Sequence, residues 1–60
     1  MSDFMTAIDF CEELEISRSS AYKIIGRLNE ELREKGYLTL TGKVPRWYFQ
    51  VRYNMKPENE

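Results

Sequence analysis

The sequence predicts a mainly α domain with a small β-hairpin, and three observations carry that expectation. Two stretches place apolar residues at helical spacing, each opened by a residue type that caps helices; the second ends at Gly36; and a short β-prone run then leads into the turn Thr41-Gly42-Lys43. The chain has 60 residues, 42% of them hydrophobic. At that length a folded chain buries only about 60% of its unfolded surface, so the elements must share one compact core. A single domain over residues 1–60 is expected, ordered from about 4 to 53 and followed by a flexible polar tail, 54–60.

Thr6 followed by Asp9 has the capping-box form, which starts a first helix there. Ala7, Phe10, Cys11 and Leu14 fall at i, i+3, i+4, i+7, one buried stripe that leaves Asp9, Glu12 and Glu13 in water. Ile8 lies off the stripe, to rim the core or to meet a partner. Glu15-Ile16-Ser17 breaks the pattern, and Ser17 is a good N-cap for a second helix from Arg18 to about Lys35. Ala21, Ile24, Ile25, Leu28 and Leu32 form its stripe, and Gly36 stops it. The opposite face holds Ser19, Lys23, Gly26, Arg27 and Glu30, with Arg18 and Tyr22 along one border. Its first half is basic and its end acidic.

After the second helix, Tyr37-Leu38-Thr39-Leu40 reads as a strand, and Val44 begins a returning strand beyond the turn. Residues 46–53 fit two descriptions. As a strand, Trp47, Phe49, Val51 and Tyr53 alternate with Tyr48, Gln50 and Arg52; as a helix, Pro45 takes the first position and Tyr48, Phe49, Arg52 and Tyr53 share a face.

Composition excludes several functions. The single Cys and the absence of His rule out an internal disulfide and a zinc site, so neither metal nor cofactor is expected. Cys11 reads as a small buried apolar residue, and with no His to activate it and Glu12 and Glu13 diverging on a helix, no catalytic residue is assigned. The longest apolar run is Trp47 to Phe49 and no charged-then-apolar leader opens the chain, which points to the cytoplasm and away from a membrane.

The formal net charge is −1, yet the charges are segregated. Met1 to Glu15 carries five acids and no base, whereas Ile16 to Asn29 carries Arg18, Lys23 and Arg27 and no acid. Glu30, Glu31 and Glu34 interrupt, with Arg33 and Lys35 beside them, before Gly36 to Pro57 adds Lys43, Arg46, Arg52 and Lys56 without an acid. Such a pattern suits either a solvated surface of mixed sign or a dipolar protein with one basic face.

Two helices joined by a three-residue turn, the second longer and basic at its start, describe a helix-turn-helix. Cys11 supplies the small residue inside the first helix, and Leu14, Ile16, Ala21 and Ile24 close the wedge between the two. In that arrangement Ser17, Arg18, Ser19, Tyr22 and Lys23 occupy the first turn and a half of the second helix, the part that meets base edges and phosphates when a recognition helix enters the major groove. Arg27 extends the basic face, with pairing to Glu30 or Glu31 as its competing role. Thr39, Thr41 and Lys43, around the turn at Gly42, suit contact with the DNA backbone or the minor groove, with a plain solubilising loop lysine as the competing role of Lys43. Arg46 and Arg52 flank the aromatic cluster, as phosphate contacts or as guanidinium groups stacked on Trp47 or Tyr48. Ser17 also has a plain capping role, and Tyr22 sits close enough to the apolar border to pack under the wing. Trp47, Tyr48, Phe49 and Tyr53 are assigned mainly to the core, with base stacking on Trp47 as a single-strand alternative.

The chain resembles the small excisionase-like, MerR-type winged helix-turn-helix proteins of phages and mobile elements. The resemblance runs from about Thr6 to Tyr53 and is carried by Ile16-Ser17-Arg18-Ser19-Ser20-Ala21-Tyr22-Lys23-Ile24-Ile25, by Leu28-Asn29-Glu30-Glu31-Leu32 with Lys35-Gly36-Tyr37-Leu38, and by Gly42-Lys43-Val44-Pro45-Arg46 with Tyr48-Phe49. It implies sequence-specific binding of double-stranded DNA, as a transcription regulator or as a directionality factor that bends DNA beside an integrase. It also implies a recognition helix over about 18–35, a wing within about 37–46 and a closing helix from Pro45. An integrase and further copies of the chain on DNA are the implied protein partners. Two positions depart from the family pattern: Glu15 stands in the inter-helix turn where Gly is usual, and Gly26 stands where a longer side chain is usual. The competing function is a protein-binding adaptor that uses Ile8, the acidic first helix or the aromatic end to engage an integrase, repressor or replication protein.

Overall fold

The computed structural model describes residues 3–53; the tail expected at 54–60 lies outside the described residues. Thr6 is extended (φ −99°, ψ 177°) and caps helix α1, Ala7–Leu14. Its N–H donates to Asp9 Oδ2 at 3.0 Å and its Oγ1 accepts from the Asp9 N–H at 3.5 Å, so the capping box closes in both directions. The helix buries Ala7 and Phe10, with Cys11 and Leu14 partly buried behind them, and leaves Ile8 exposed.

The turn between the helices depends on one backbone conformation. Glu15 adopts φ 56°, ψ 50°, the left-handed region that favours glycine, and it is the only non-glycine residue with positive φ among those described. Holding a side chain there costs of order 1 kcal/mol. The chain then passes through half-buried Ile16 to Ser17, whose Oγ accepts from the Ser20 N–H at 3.3 Å and caps α2, Arg18–Glu34.

Helix α2 buries Ala21, Ile25, Leu28 and Leu32 as its spacing predicts, with Ile24 partly covered, and also Asn29. The Asn29 amide is half satisfied inside: Nδ2 donates to the Leu40 carbonyl at 3.0 Å, whereas Oδ1 is buried without a hydrogen-bond partner among the described residues. At the C-terminal end Gly36 takes φ +94°. Its N–H reaches the Arg33 carbonyl and the Tyr37 N–H reaches the Leu32 carbonyl, both at 3.0 Å, the paired bonds of a Schellman stop.

The sheet differs from the expected hairpin. Residues 37–40 contribute only a bridge between Leu40 and Lys43 around Gly42 (φ +76°), and the returning segment pairs elsewhere. Strand β1, Phe4–Met5, runs antiparallel to β2, Val44–Pro45, with Met5 opposite Val44 and Phe4 opposite Pro45. Burial accompanies the choice: Met5 and Val44 are both fully buried, whereas Leu38 is 98% exposed and Tyr37 and Leu40 about half exposed, so pairing through 4–5 and 44–45 covers apolar side chains that residues 37–40 leave in solvent. Pro45 lacks an N–H, and a strand of a two-stranded sheet tolerates that loss. The ladder is continued by the Arg46 N–H, which donates to the Asp3 carbonyl at 2.7 Å.

Residues 46–53 form a helix, α3, Arg46–Tyr53, and Pro45 precedes it as the last residue of β2. A strand would have put Trp47 and Val51 on the buried face with Phe49; instead these two are 48% and 65% exposed, while Tyr48 and Phe49 are buried and Tyr53 is partly covered. Phe49 meets Phe10 edge-on at 5.1 Å, which seals α3 against α1. The architecture is three helices around one core with a small antiparallel sheet at its edge.

The left-handed turn gives a direct test. Glu15→Gly removes the Cβ penalty at φ 56° and is expected to raise unfolding stability by about 1 kcal/mol, read as a higher urea midpoint by circular dichroism. An unchanged or lower midpoint would contradict strain at this residue.

Candidate nucleic-acid interface

The start of α2 is open to solvent: Ser17, Arg18, Ser19 and Ser20 are all exposed. Ser17 has the capping role, since its Oγ accepts the Ser20 N–H and donates to Ser20 Oγ at 3.2 Å. Further along, Lys23, Gly26 and Arg27 share a surface groove with Tyr22, Glu30, Glu31, Arg33 and Glu34. This is the face opposite the apolar stripe, and its charge changes sign between Arg27 and Glu30. A side chain at Gly26 would meet nothing within 4 Å, so packing does not demand a glycine there.

The loop after α2 stands beside this face. A second groove is lined by Tyr22, Ile25, Gly26 and Asn29 of α2 together with Thr41 and Gly42 of the loop tip. Tyr22, about half exposed, therefore lies between the helix and the wing. Two side-chain bonds hold the loop to α2: Asn29 Nδ2 to the Leu40 carbonyl, and Arg33 Nη1 to Thr39 Oγ1 at 3.2 Å. Tyr37 packs edge-on against Trp47 at 5.6 Å and anchors the loop to α3. Trp47, which also meets the Tyr48 ring at 5.5 Å, is about half exposed. Thr41 and Lys43 are exposed, whereas Arg46 is half-buried at the first residue of α3; neither Lys43 nor Arg46 lines either groove.

Glu31, considered in the sequence only as a pairing partner for Arg27, is held instead mainly from α3, a contact the sequence reading missed. Its Oε1 accepts from Tyr48 Oη and from Arg52 Nε, each at 2.7 Å, and its Oε2 accepts from Arg52 Nη2 at 2.9 Å. Arg52, expected on phosphate or over an aromatic ring, instead makes this two-pronged pair across 21 residues of sequence. No local spacing signals such a partner. Arg27 Nε stands 3.9 Å from Glu31 Oε2 with its side chain 79% exposed. The Arg52 hydrogen bonds, and then the Tyr48 hydroxyl, hold the Glu31 carboxyl down at about 2. The same carboxylate, with burial adding to it, pushes the Tyr48 hydroxyl above its ordinary range, and raises Arg52 further.

Cys11 packs partly buried against the core. Among the described residues no helix is long and apolar enough to cross a membrane.

A short capped helix, a tight turn and a longer capped helix with an exposed basic start, flanked by a tethered loop, make up a helix-turn-helix domain. The chain belongs to the Mga helix-turn-helix domain family, whose sequence profile matches residues 1–47. It is similar to the ICEBs1 excisionase of Bacillus subtilis (strain 168), 37% identical over 54 residues that cover 90% of this chain and 84% of that protein. No solved structure matches. The resemblance to excisionase-like helix-turn-helix DNA-binding proteins therefore stands.

Because Glu31 has its carboxyl lowered from 4.5 to about 2 on folding, the stability it contributes is complete above pH 4.5 and is lost as pH falls through 2. Thermal unfolding of Glu31→Gln, followed by circular dichroism from pH 5 to pH 2, is expected to show a flatter decline than the parent chain. An identical decline would mean that Glu31 is not held by Arg52 and Tyr48 in solution.

Proposed function

We propose that the protein binds specific double-stranded DNA with the first half of α2 in the major groove and the Thr41–Lys43 wing alongside, and that it acts as a recombination directionality factor of a mobile element, beside an integrase. One observation carries the reading: Lys23 and Arg27 share an exposed groove with Tyr22 and Gly26, and the wing tip borders the same helix face. Ser17, Arg18, Ser19, Tyr22, Lys23 and Arg27 are the proposed contacts from α2, with Thr41, Lys43 and Arg46 outside it. Ser17 and the free N–H groups of the first turn suit phosphate, as does the positive end of the helix dipole. Arg18 suits guanine or phosphate, and Ser19 suits a base edge.

The sign change along α2 determines how the helix sits. Lys23, Arg27, Glu30 and Glu34 follow one another at helical spacing, so the stripe runs about 16 Å at 1.5 Å per residue. Phosphate walls on both sides attract its first half and repel its second. The helix therefore enters the groove by its N-terminal turns and leans outward at its C-terminal end. The role is structural and non-catalytic: the excision reaction itself belongs to the integrase, and this chain marks and shapes the DNA. A single small module of this kind covers limited DNA surface, so cooperative binding to repeated sites accompanies the reading.

Gel-shift titration on duplexes recovered by binding-site selection tests this directly. About five phosphate contacts give a slope near −4 to −5 in log affinity against log salt, and Lys23→Gln is expected to make that slope less negative by about 0.9. No binding at low salt, or a flat slope, would sink the proposal.

A further inference from the structure

Glu31 occupies a ridge with two sides. It lines the groove that holds Lys23, Gly26 and Arg27, and it also lines a separate groove between α2 and α3 with Tyr48 and Arg52. Its carboxylate is thus within reach of two arginines on opposite sides. The α3 side holds it firmly, through three hydrogen bonds of 2.7, 2.7 and 2.9 Å, while the Arg27 side offers one loose approach at 3.9 Å. The Arg27–Glu31 pair is also in the less favourable i, i+4 order, with the base N-terminal to the acid. Arg27 is left mostly in solvent.

We propose that Arg52 is a positioning residue for DNA binding: by occupying the Glu31 carboxylate from α3, it keeps Arg27 free to meet phosphate. The inference rests on the placement of Arg27 against DNA given above. Without Arg52, Glu31 would be an unneutralised acid one helical turn from Arg27, and the two would close into an intrahelical ion pair. A phosphate would then have to displace that pair before it could take the guanidinium. Arg52 would thereby influence affinity from a groove that does not include the proposed α2 contacts, and sequence spacing gives no sign of it.

A double-mutant cycle on a mixed-sequence DNA duplex at low salt separates this from a general effect. Arg52→Gln is expected to weaken binding about three- to sixfold, and to make the salt slope less negative by about 0.9, the loss of one phosphate contact. In an Arg27→Gln background the Arg52 substitution is expected to have no further effect, because both remove the same contact. Glu31→Gln combined with Arg52→Gln is expected to restore affinity. Circular dichroism confirms that each variant is folded. If Arg52→Gln does not fold at the assay temperature, Arg52→Lys, which keeps the charge without the two-pronged grip, is expected to give a smaller loss in the same direction. Unchanged affinity in Arg52→Gln, an equal loss with and without Arg27, or failure of Glu31→Gln to rescue would each overturn the proposal. Unchanged affinity in Arg27→Gln alone would instead refute the placement of Arg27 on the DNA face.

Discussion

The pairing of Met5 with Val44 is the constraint from which the rest of the arrangement follows. Two-residue strands contribute little hydrogen bonding, but this pair brings two fully buried side chains together and ties the start of the described chain to a point 39 residues later. Once Val44 is held there, residues 37–43 have to leave the core and return, and they do so beside α2. Arg46, bonded through its N–H to Asp3, then starts α3 at the edge of the sheet. From that start Tyr48 and Phe49 fall over the core, and Phe49 reaches Phe10. In a chain this small a misplaced strand would expose a large share of the available apolar surface, so the register is set by burial more than by backbone bonds.

Local chemistry made much of the fold readable. The Thr6–Asp9 box, the Ser17 cap and the Gly36 stop each act within a few residues, and each falls where its residue types suggest. The left-handed turn was signalled through the family resemblance alone, in which glycine is usual where Glu15 stands. What escaped was non-local. Phe4 and Met5 are too few to show an alternating pattern, so the true partner of Val44 left no mark. The choice between helix and strand for residues 46–53 was decided by which aromatic rings the existing core could accept. The burial of Asn29 had no signal in the apolar stripe, because its amide bonds to the Leu40 carbonyl eleven residues away. At the candidate site, the exposed basic start of α2 was legible from periodicity, while the Arg52–Glu31 pair was not, since its partners lie on different helices.

The near balance of nine basic and ten acidic residues takes on a spatial meaning in this fold. One of the acids of α2 is neutralised from α3, whereas Glu30 and Glu34 share the exposed groove with Lys23 and Arg27. The exposed face of α2 therefore carries a charge gradient along one helix rather than a uniformly positive surface. A weak overall field gives little attraction to DNA at a distance, and more of the binding must come from correct contact at short range.

The two bonds from α2 to the loop, at Asn29 and Arg33, sit one helical turn apart and on the same side. Two attachment points resist rocking in a way that one does not, so the spacing of the loop from the helix is restrained before any duplex arrives. Under the proposed docking of α2 and the loop, DNA held between them has to match that opening. Sequences whose grooves are already of suitable width, or that deform cheaply to reach it, are favoured even at base pairs no side chain touches.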